Sequence, residues 1–368
     1  MNNWNSIRGR IFAAALLGAP AFAASNFVQH NLVADTDGIA DNTDPNLVGS
    51  WGISASPASR IWVSNTSNGL ATEYNTAGVG VTAAAIPLSA SSKLKSGLPT
   101  GQVWSGYGAG FFEVAAAKPA NFIFAALDGT ISGNNGGTVT IMVDNGSKGA
   151  VYTGLGIGVS KAGPTLYAAN FGNGTIDTFD KKFKPIMLAG GFLDADLPAG
   201  YAPANVQRFG QRLYVTYGLP DGKGGFISWP GAGWINAFDL NGNLVQRLVP
   251  SNGKLNVPWG LALAGPNFGV FSYALIVGNF GDGSIVAFDP VTGDLMGAMQ
   301  DGKGNNLSID GLGGYSSARR AVRAMPTVAM PPRCTSPPHR PEARTDCSEL
   351  CGRRRTRLIR SLWSVRLQ

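Results

Sequence analysis

Asn256-Val257-Pro258-Trp259-Gly260-Leu261-Ala262-Leu263, followed by Ala274-Leu275-Ile276-Val277-Gly278-Asn279-Phe280-Gly281-Asp282-Gly283-Ser284-Ile285-Val286-Ala287-Phe288-Asp289, reads as three short strands joined by two turns. Pro-Trp-Gly opens one hydrophobic run and Asn279 ends a second. Gly281-Asp282-Gly283 then turns the chain into a third, which closes on an aromatic-Asp pair. Glycine and asparagine supply the positive φ that tight hairpins require.

Weaker copies of this unit recur. The turn glycine and the closing aromatic pair as Gly69 with Tyr74, Gly174 with Phe179, Gly233 with Phe238 and Gly283 with Phe288, while Gly129 heads a copy without the aromatic. Ahead of these turns run Ile61–Asn65, Phe122–Ala126, Leu166–Asn170, Leu213–Thr216 and Leu275–Asn279. The glycines are 60, 45, 59 and 50 residues apart, close to the roughly 40 to 50 residues of a propeller blade. Strands and turns at that period, with no long amphipathic helical pattern, imply an all-β propeller. Each unit must stack on its neighbours to cover its apolar faces, so the copies imply a ring.

Residues 1–24 have the form of a secretory signal, with Arg8 and Arg10, an apolar Ile11–Leu17 and Ala21-Phe22-Ala23. The apolar part is too short for a permanent membrane span, and a secreted or periplasmic protein is expected. Residues 25–310 form the propeller and contain no cysteine. Phe27–Asp35 reads as a strand whose simplest role is to complete the last blade. The acidic loop Asp41–Val48 reads as a capped turn more readily than as a cation cradle. Leu219–Pro230 is longer than a hairpin needs, and Trp229 and Trp234 are candidates to line a surface there.

The composition changes after Asp310. Residues 311–368 hold all three cysteines and 12 of the 29 basic residues, but only 3 of the 22 acidic ones. The high isoelectric point therefore belongs to this tail, and nucleic acid is a disfavoured partner for the propeller. A shifted reading frame accounts for the tail better than a basic disordered arm does. If Leu312–Ala318 is encoded CTG GGG GGC TAC AGT TCG GCA, one T restored after CTG yields Leu-Trp-Gly-Leu-Gln-Phe-Gly, a copy of the Trp-Gly-Leu motif. In the same frame Pro332–Ser336, if encoded CCG CGC TGT ACT TCA and followed by Pro337, yields Ala-Leu-Tyr-Phe-Thr, which closely resembles Leu213-Tyr214-Val215-Thr216. As printed, the chain would leave a blade edge open, and poor folding is expected.

Thr43–Val48 with Trp51-Gly52-Ile53, Asp128–Gly133, Leu166–Phe171, Tyr201–Gln207, Asn256–Ala262 and Gly278–Gly283 resemble an uncharacterised family of exported bacterial propeller proteins. The resemblance covers about residues 27 to 312. It implies a six-bladed, NHL-like ring, followed in some members by a sorting signal, and it brings no established activity.

The propeller region has one histidine, His30, and no cysteine, which disfavours Ser-His-Asp, Cys-His and His-rich metal chemistry. What remains is oxygen chemistry on one rim. The loops entering inner strands and following middle strands emerge on one face, so Trp51, Asn65, Asp128, Asn170, Trp259, Asn279 and Asp282 are expected near the channel mouth. Their oxygens could hold Ca²⁺ and polarise an ester or lactone carbonyl; alternatively, the asparagines cap the blade turns. The leading expectation is a binding or scaffold module for a small molecule, glycan or protein. A Ca²⁺-dependent hydrolase of the lactonase kind is the alternative.

Overall fold

The computed structural model describes residues 27–57, 60–222 and 224–309, together with the backbone of the strand Trp363–Leu367. The expected signal at 1–24 and, apart from that strand's backbone, the tail at 311–368 lie outside the described residues.

Five four-stranded antiparallel units follow one another along the chain. Blade 1 consists of Ser50–Ala55, Ile61–Asn65, Leu70–Tyr74 and Gly80–Ala85. Blade 2 consists of Pro99–Trp104, Phe122–Ala126, Thr130–Asn134 and Val139–Asp144. Blade 3 holds Tyr152–Ser160, Gly163–Asn170, Thr175–Phe179 and Pro185–Ile186. Blade 4 holds Ala202–Phe209, Arg212–Pro220, Trp234–Asp239 and Leu244–Val249, with Phe226–Ile227 added beside its second strand. Blade 5 holds Pro258–Leu263, Leu275–Asn279, Ile285–Phe288 and Leu295–Ala298. The fold is an all-β propeller, and helix among the described residues is limited to two short 3₁₀ turns.

The five recurring glycine units each became one blade, and their hydrophobic runs became second strands. Four turn glycines have the left-handed φ that the reading demanded: +74° at Gly69, +80° at Gly129, +70° at Gly174 and +72° at Gly283. Gly233 differs. The long loop replaces the hairpin in blade 4, the positive φ falls on Gly231, and a Cβ on Gly233 would lie 2.3 Å from Pro258 Cδ.

The Trp-Gly motif has a different purpose from the turns. First strands of successive blades cross at their glycines, so closely that a side chain has no room. A Cβ on Gly52 would meet Thr100 O at 2.2 Å, one on Gly101 would meet Gly154 Cα at 2.6 Å, and one on Gly154 would meet Asn205 Cα at 2.6 Å. Every first strand carries a bulge at this level, which bends it toward the ring axis. Hydrogen bonds tie neighbouring blades there: Thr66 Oγ1 to Pro99 O at 2.6 Å, Thr100 Oγ1 to Tyr152 O at 2.7 Å, and Asn205 Nδ2 to Trp259 O at 2.7 Å.

Apolar clusters fill the four sectors between consecutive blades. The two outer flanks of the series are covered by the N-terminal segment and by the chain leaving blade 5. Phe27, Leu307 and Ile309 pack on blade 5, while Leu32, Val33 and Leu47 pack on blade 1. The strand Phe27–Asn31 pairs antiparallel with Trp363–Leu367, and the Phe27 N–H donates to Gln300 O. The Tyr74 hydroxyl donates to Asp44 at 2.6 Å. Burial first, and then that bond, pushes the phenol well above its ordinary pKa.

Candidate functional site

One or more residues from each first strand converge on the axis, where the space that remains is about 20 Å³. That is room for roughly one water. Trp51 and Trp259 close the passage. Their rings meet edge to face with centroids 6.0 Å apart, and they are 3% and 7% exposed. The Trp259 indole N–H reaches across to Thr153 O at 3.1 Å. The Trp51 indole nitrogen is buried without a protein partner among the described residues. Both tryptophans therefore plug the ring rather than lie open on its face.

The three asparagines form a common structural device. Asn65 accepts from Ser50 Oγ and donates to Thr72 Oγ1 across the blade 1 hairpin. Asn170 accepts from the Val151 and Asn173 N–H groups and donates to Asp177. Asn279 accepts from the Asn256 N–H and donates to Lys254 O and Ser284 Oγ. All three are buried, and each ties a second strand to the chain entering its own blade or to the adjoining hairpin strand.

The two carboxylates are also engaged. Asp128 takes the Thr130 N–H and hydroxyl on one oxygen and the Ser89 N–H on the other. Asp282 takes the Ser284 N–H and hydroxyl on one oxygen and the Asn256 amide on the other. Among the described residues, no three His, Cys, Asp or Glu side chains converge on a point where a metal ion could sit. His30 lies in the N-terminal strand, 2.9 Å from Asp41.

Sequence reasoning missed two features of this face. The first is Asp144, which joins Asp128 in holding the loop between blades 1 and 2. Its oxygens accept from the Ser89 hydroxyl, the Gly146 N–H and the Ala90 N–H. Burial alone would raise its pKa, but these bonds outweigh burial and hold the group below the usual carboxylate range.

The second is an aromatic collar over the plug. Phe171 and Phe226 lie 4.4 Å apart, and Phe226 and Phe280 lie 5.8 Å apart. Leu127, Phe226 and Phe280 are half-buried against Trp51, Ala204 and Trp259. Leu127, Phe171 and Phe280 each stand one position after a second-strand run, so reading the motif one residue further would have found them. Phe226 comes from the long loop, which Ser228 fastens to Asn256 and Gly281 of the neighbouring blade at 2.9 and 3.2 Å. Trp229 on that loop is 43% exposed. Trp234 is instead packed on Tyr201, with the Arg247 guanidinium 6.0 Å from its ring.

Uncharacterized protein R648 of Acanthamoeba polyphaga mimivirus is 30% identical to this chain over 309 residues, an alignment spanning 81% of the chain and 75% of R648. The chain belongs to the R648 family. Uncharacterized protein R640 of the same virus is 33% identical over 208 residues, 54% of the chain, and the chain spans only 38% of R640's length. These relatives are viral, whereas the sequence motifs had suggested bacterial kin. No family model matches. Among solved structures, a streptogramin B lyase aligns over 75% of the chain and 74% of its own, with 15% identity and a TM-score of 0.45. Among the described residues, no helix is long and apolar enough to cross a membrane.

Proposed function

We propose that this member of the R648 family is an exported binding module whose ligand seat is the aromatic collar above the plugged axis. The observation that carries the reading is the pairing of half-buried Phe226 and Phe280 with a closed channel beneath them. Aromatic side chains held rigidly at a rim offer large contact area at low entropic cost. Among the described residues, the space at the axis below them is about 20 Å³. The ligand is a molecule with an apolar portion that rests on the collar, while the exposed rim residues Ser228 and Asp282 meet its polar part.

The test uses anilinonaphthalene sulfonate as a probe, titrated into the purified chain. Saturable fluorescence at one site per chain is expected, with loss of most of it in Phe226→Ala and Phe280→Ala variants that melt normally. Equal dye binding by parent and variants would refute the seat. The hydrolase alternative requires a stoichiometric cation held by Asp128 or Asp282. It would be favoured by retained Ca²⁺ after gel filtration and by Ca²⁺-dependent hydrolysis of a simple lactone.

The ring itself is proposed to have six blades. Ile309 N–H donates to Gly283 O just as Ile86 N–H donates to Gly69 O, so the chain leaves blade 5 as it leaves blade 1 to start another blade. The strand Phe27–Asn31 lies on that flank, where an outer strand of a sixth blade belongs. The missing strands are those read in the shifted frame after Leu312. Inserting one T after that codon should yield a more soluble protein with a higher melting temperature. An unchanged or lower melting temperature would count against a sixth blade.

A further inference from the structure

A second groove opens between blades 1 and 2, away from the collar, bordered by Pro57 and Arg60 on one side and by Trp104, Asn121 and the turn at Asn134–Gly137 on the other. Its volume is about 650 Å³, within the size range of small-ligand clefts. Trp62, Trp104 and Phe122 give it an aromatic wall, and Arg60, Glu73 and Asn121 give it polar groups.

Glu73 is the unusual residue. It precedes the aromatic that closes its blade's third strand, and the corresponding residues in the other blades are Gly133, Thr178, Ala237 and Ala287. Those are small and pack within the blade stack. In blade 1 the same position carries a carboxylate whose side chain is only 8% exposed. Its one hydrogen-bond partner among the described residues is the Arg60 guanidinium, 3.2 Å from Oε1. The other oxygen accepts no protein donor among the described residues. That oxygen is open to the groove, where water meets it in the free protein and a ligand hydroxyl could replace the water.

Trp104 has an equally specific placement. It is 37% exposed, yet its ring is seated on the Gly106 backbone so closely that a Cβ there would lie 2.6 Å from the indole. Trp104 pairs across the strands with Phe122, whose ring is 5.6 Å from that of Trp62. The indole is thus a fixed platform with one side open to the groove.

We propose that this groove binds a neutral saccharide. The carbon–hydrogen face of a pyranose ring would stack on Trp104. Adjacent hydroxyls would donate to the unused Glu73 oxygen and accept from Arg60, whose guanidinium keeps further N–H donors. The exposed Asn121 amide extends the polar edge. An anionic ligand would face the Glu73 carboxylate, and a purely apolar one would strip water from it without replacement.

The test is titration of the full-length chain with cellotriose, maltotriose, mannotriose and chitotriose, read by indole fluorescence and by calorimetry. At least one should bind saturably. Trp104→Ala and Glu73→Gln should each weaken that binding by about tenfold, Trp104→Phe should retain part of it, and Phe280→Ala in the collar should leave it unchanged. No saturable binding by any of the four up to about 10 mM, or binding that Trp104→Phe, Trp104→Ala and Glu73→Gln all leave intact, would overturn the proposal. Because the collar variant is scored separately, failure here is distinguishable from failure of the collar reading.

Discussion

Replacing Gly101 with alanine tests the idea that blades are joined by backbone contact at their first-strand glycines. The added Cβ would sit 2.6 Å from both Gly154 Cα and Leu155 N, whereas carbon contacts are comfortable at about 3.5–4.0 Å. Both neighbours are backbone in a regular strand, so relief requires the two blades to part by about 1 Å. Parting them strains the adjoining bond from Thr100 Oγ1 to Tyr152 O. Overpacking of this kind costs about 1–3 kcal/mol, and weakening the bond adds about 1 kcal/mol. In a domain of this size each kcal/mol lowers the melting temperature by roughly 2–4 °C, so a fall of roughly 5–15 °C is expected. Differential scanning calorimetry or circular dichroism measures it directly. Gly108 is the control, because a Cβ there meets nothing within 4 Å, and Gly108→Ala should melt with the parent. If Gly101→Ala also melted within about 2 °C of the parent, close glycine crossing would not be what holds neighbouring blades together.

Asp194→Ala removes a carboxylate whose side chain is 2% exposed and which grips Arg247 with both oxygens. A lower denaturation midpoint is expected by denaturant titration, the loss being tempered by solvent screening at the partly exposed Arg247. The Arg247 bond first, and the Asp196 N–H and Asn236 amide after it, hold the Asp194 pKa down. A depressed carboxylate stabilises the fold above its unfolded pKa and loses that contribution as pH falls through the folded value, so the parent should lose stability on acidification and Asp194→Ala should lose less. Asp144 has the same sign. The protection factors of the Ser89–Ser91 amides, taken relative to intrinsic exchange at each pH, should fall as pH drops below the ordinary carboxylate range, and Asp144→Asn should show low protection already at neutral pH. Trp51→Ala opens the plug and should cost about 3–5 kcal/mol, read by chemical denaturation, whereas exposed Trp229→Ala should leave stability unchanged.

The fold was legible because each blade repeats demands that only certain residues meet. Positive φ at Gly69, Gly129, Gly174 and Gly283 marked the hairpins, and continuous apolar runs marked second strands buried on both faces. Outer strands left little trace. Gly80–Ala85 is almost wholly exposed, and a strand with no buried face carries no alternating pattern to read. The residues expected at the channel mouth are accounted for by packing and by internal hydrogen bonds. Trp51 and Trp259 are buried and meet edge to face as a plug, and at Gly52 the strands approach too closely for a side chain. The polarity of Asn65, Asn170 and Asn279 suggested ligands, although a buried amide beside a turn has backbone partners within reach. Glu73 and Arg60 could not be singled out, because only the packing of blade 2 against blade 1 shows that the carboxylate is enclosed.

The N-terminal segment touches both ends of the blade series, with Phe27 on blade 5 and Leu32 and Val33 on blade 1. The first part of the propeller to leave the ribosome thus finds its apolar partner only after some of the last blade has been made. Leu32 and Val33 can cover blade 1 early, but until blade 5 is made Phe27 has no surface to cover and the growing end of the series remains exposed. Contacts between residues so distant in sequence form slowly and leave sticky intermediates open to association. The order of synthesis therefore makes closure the last event in folding, and a nascent chain held extended until it is complete would reach the ring with fewer losses.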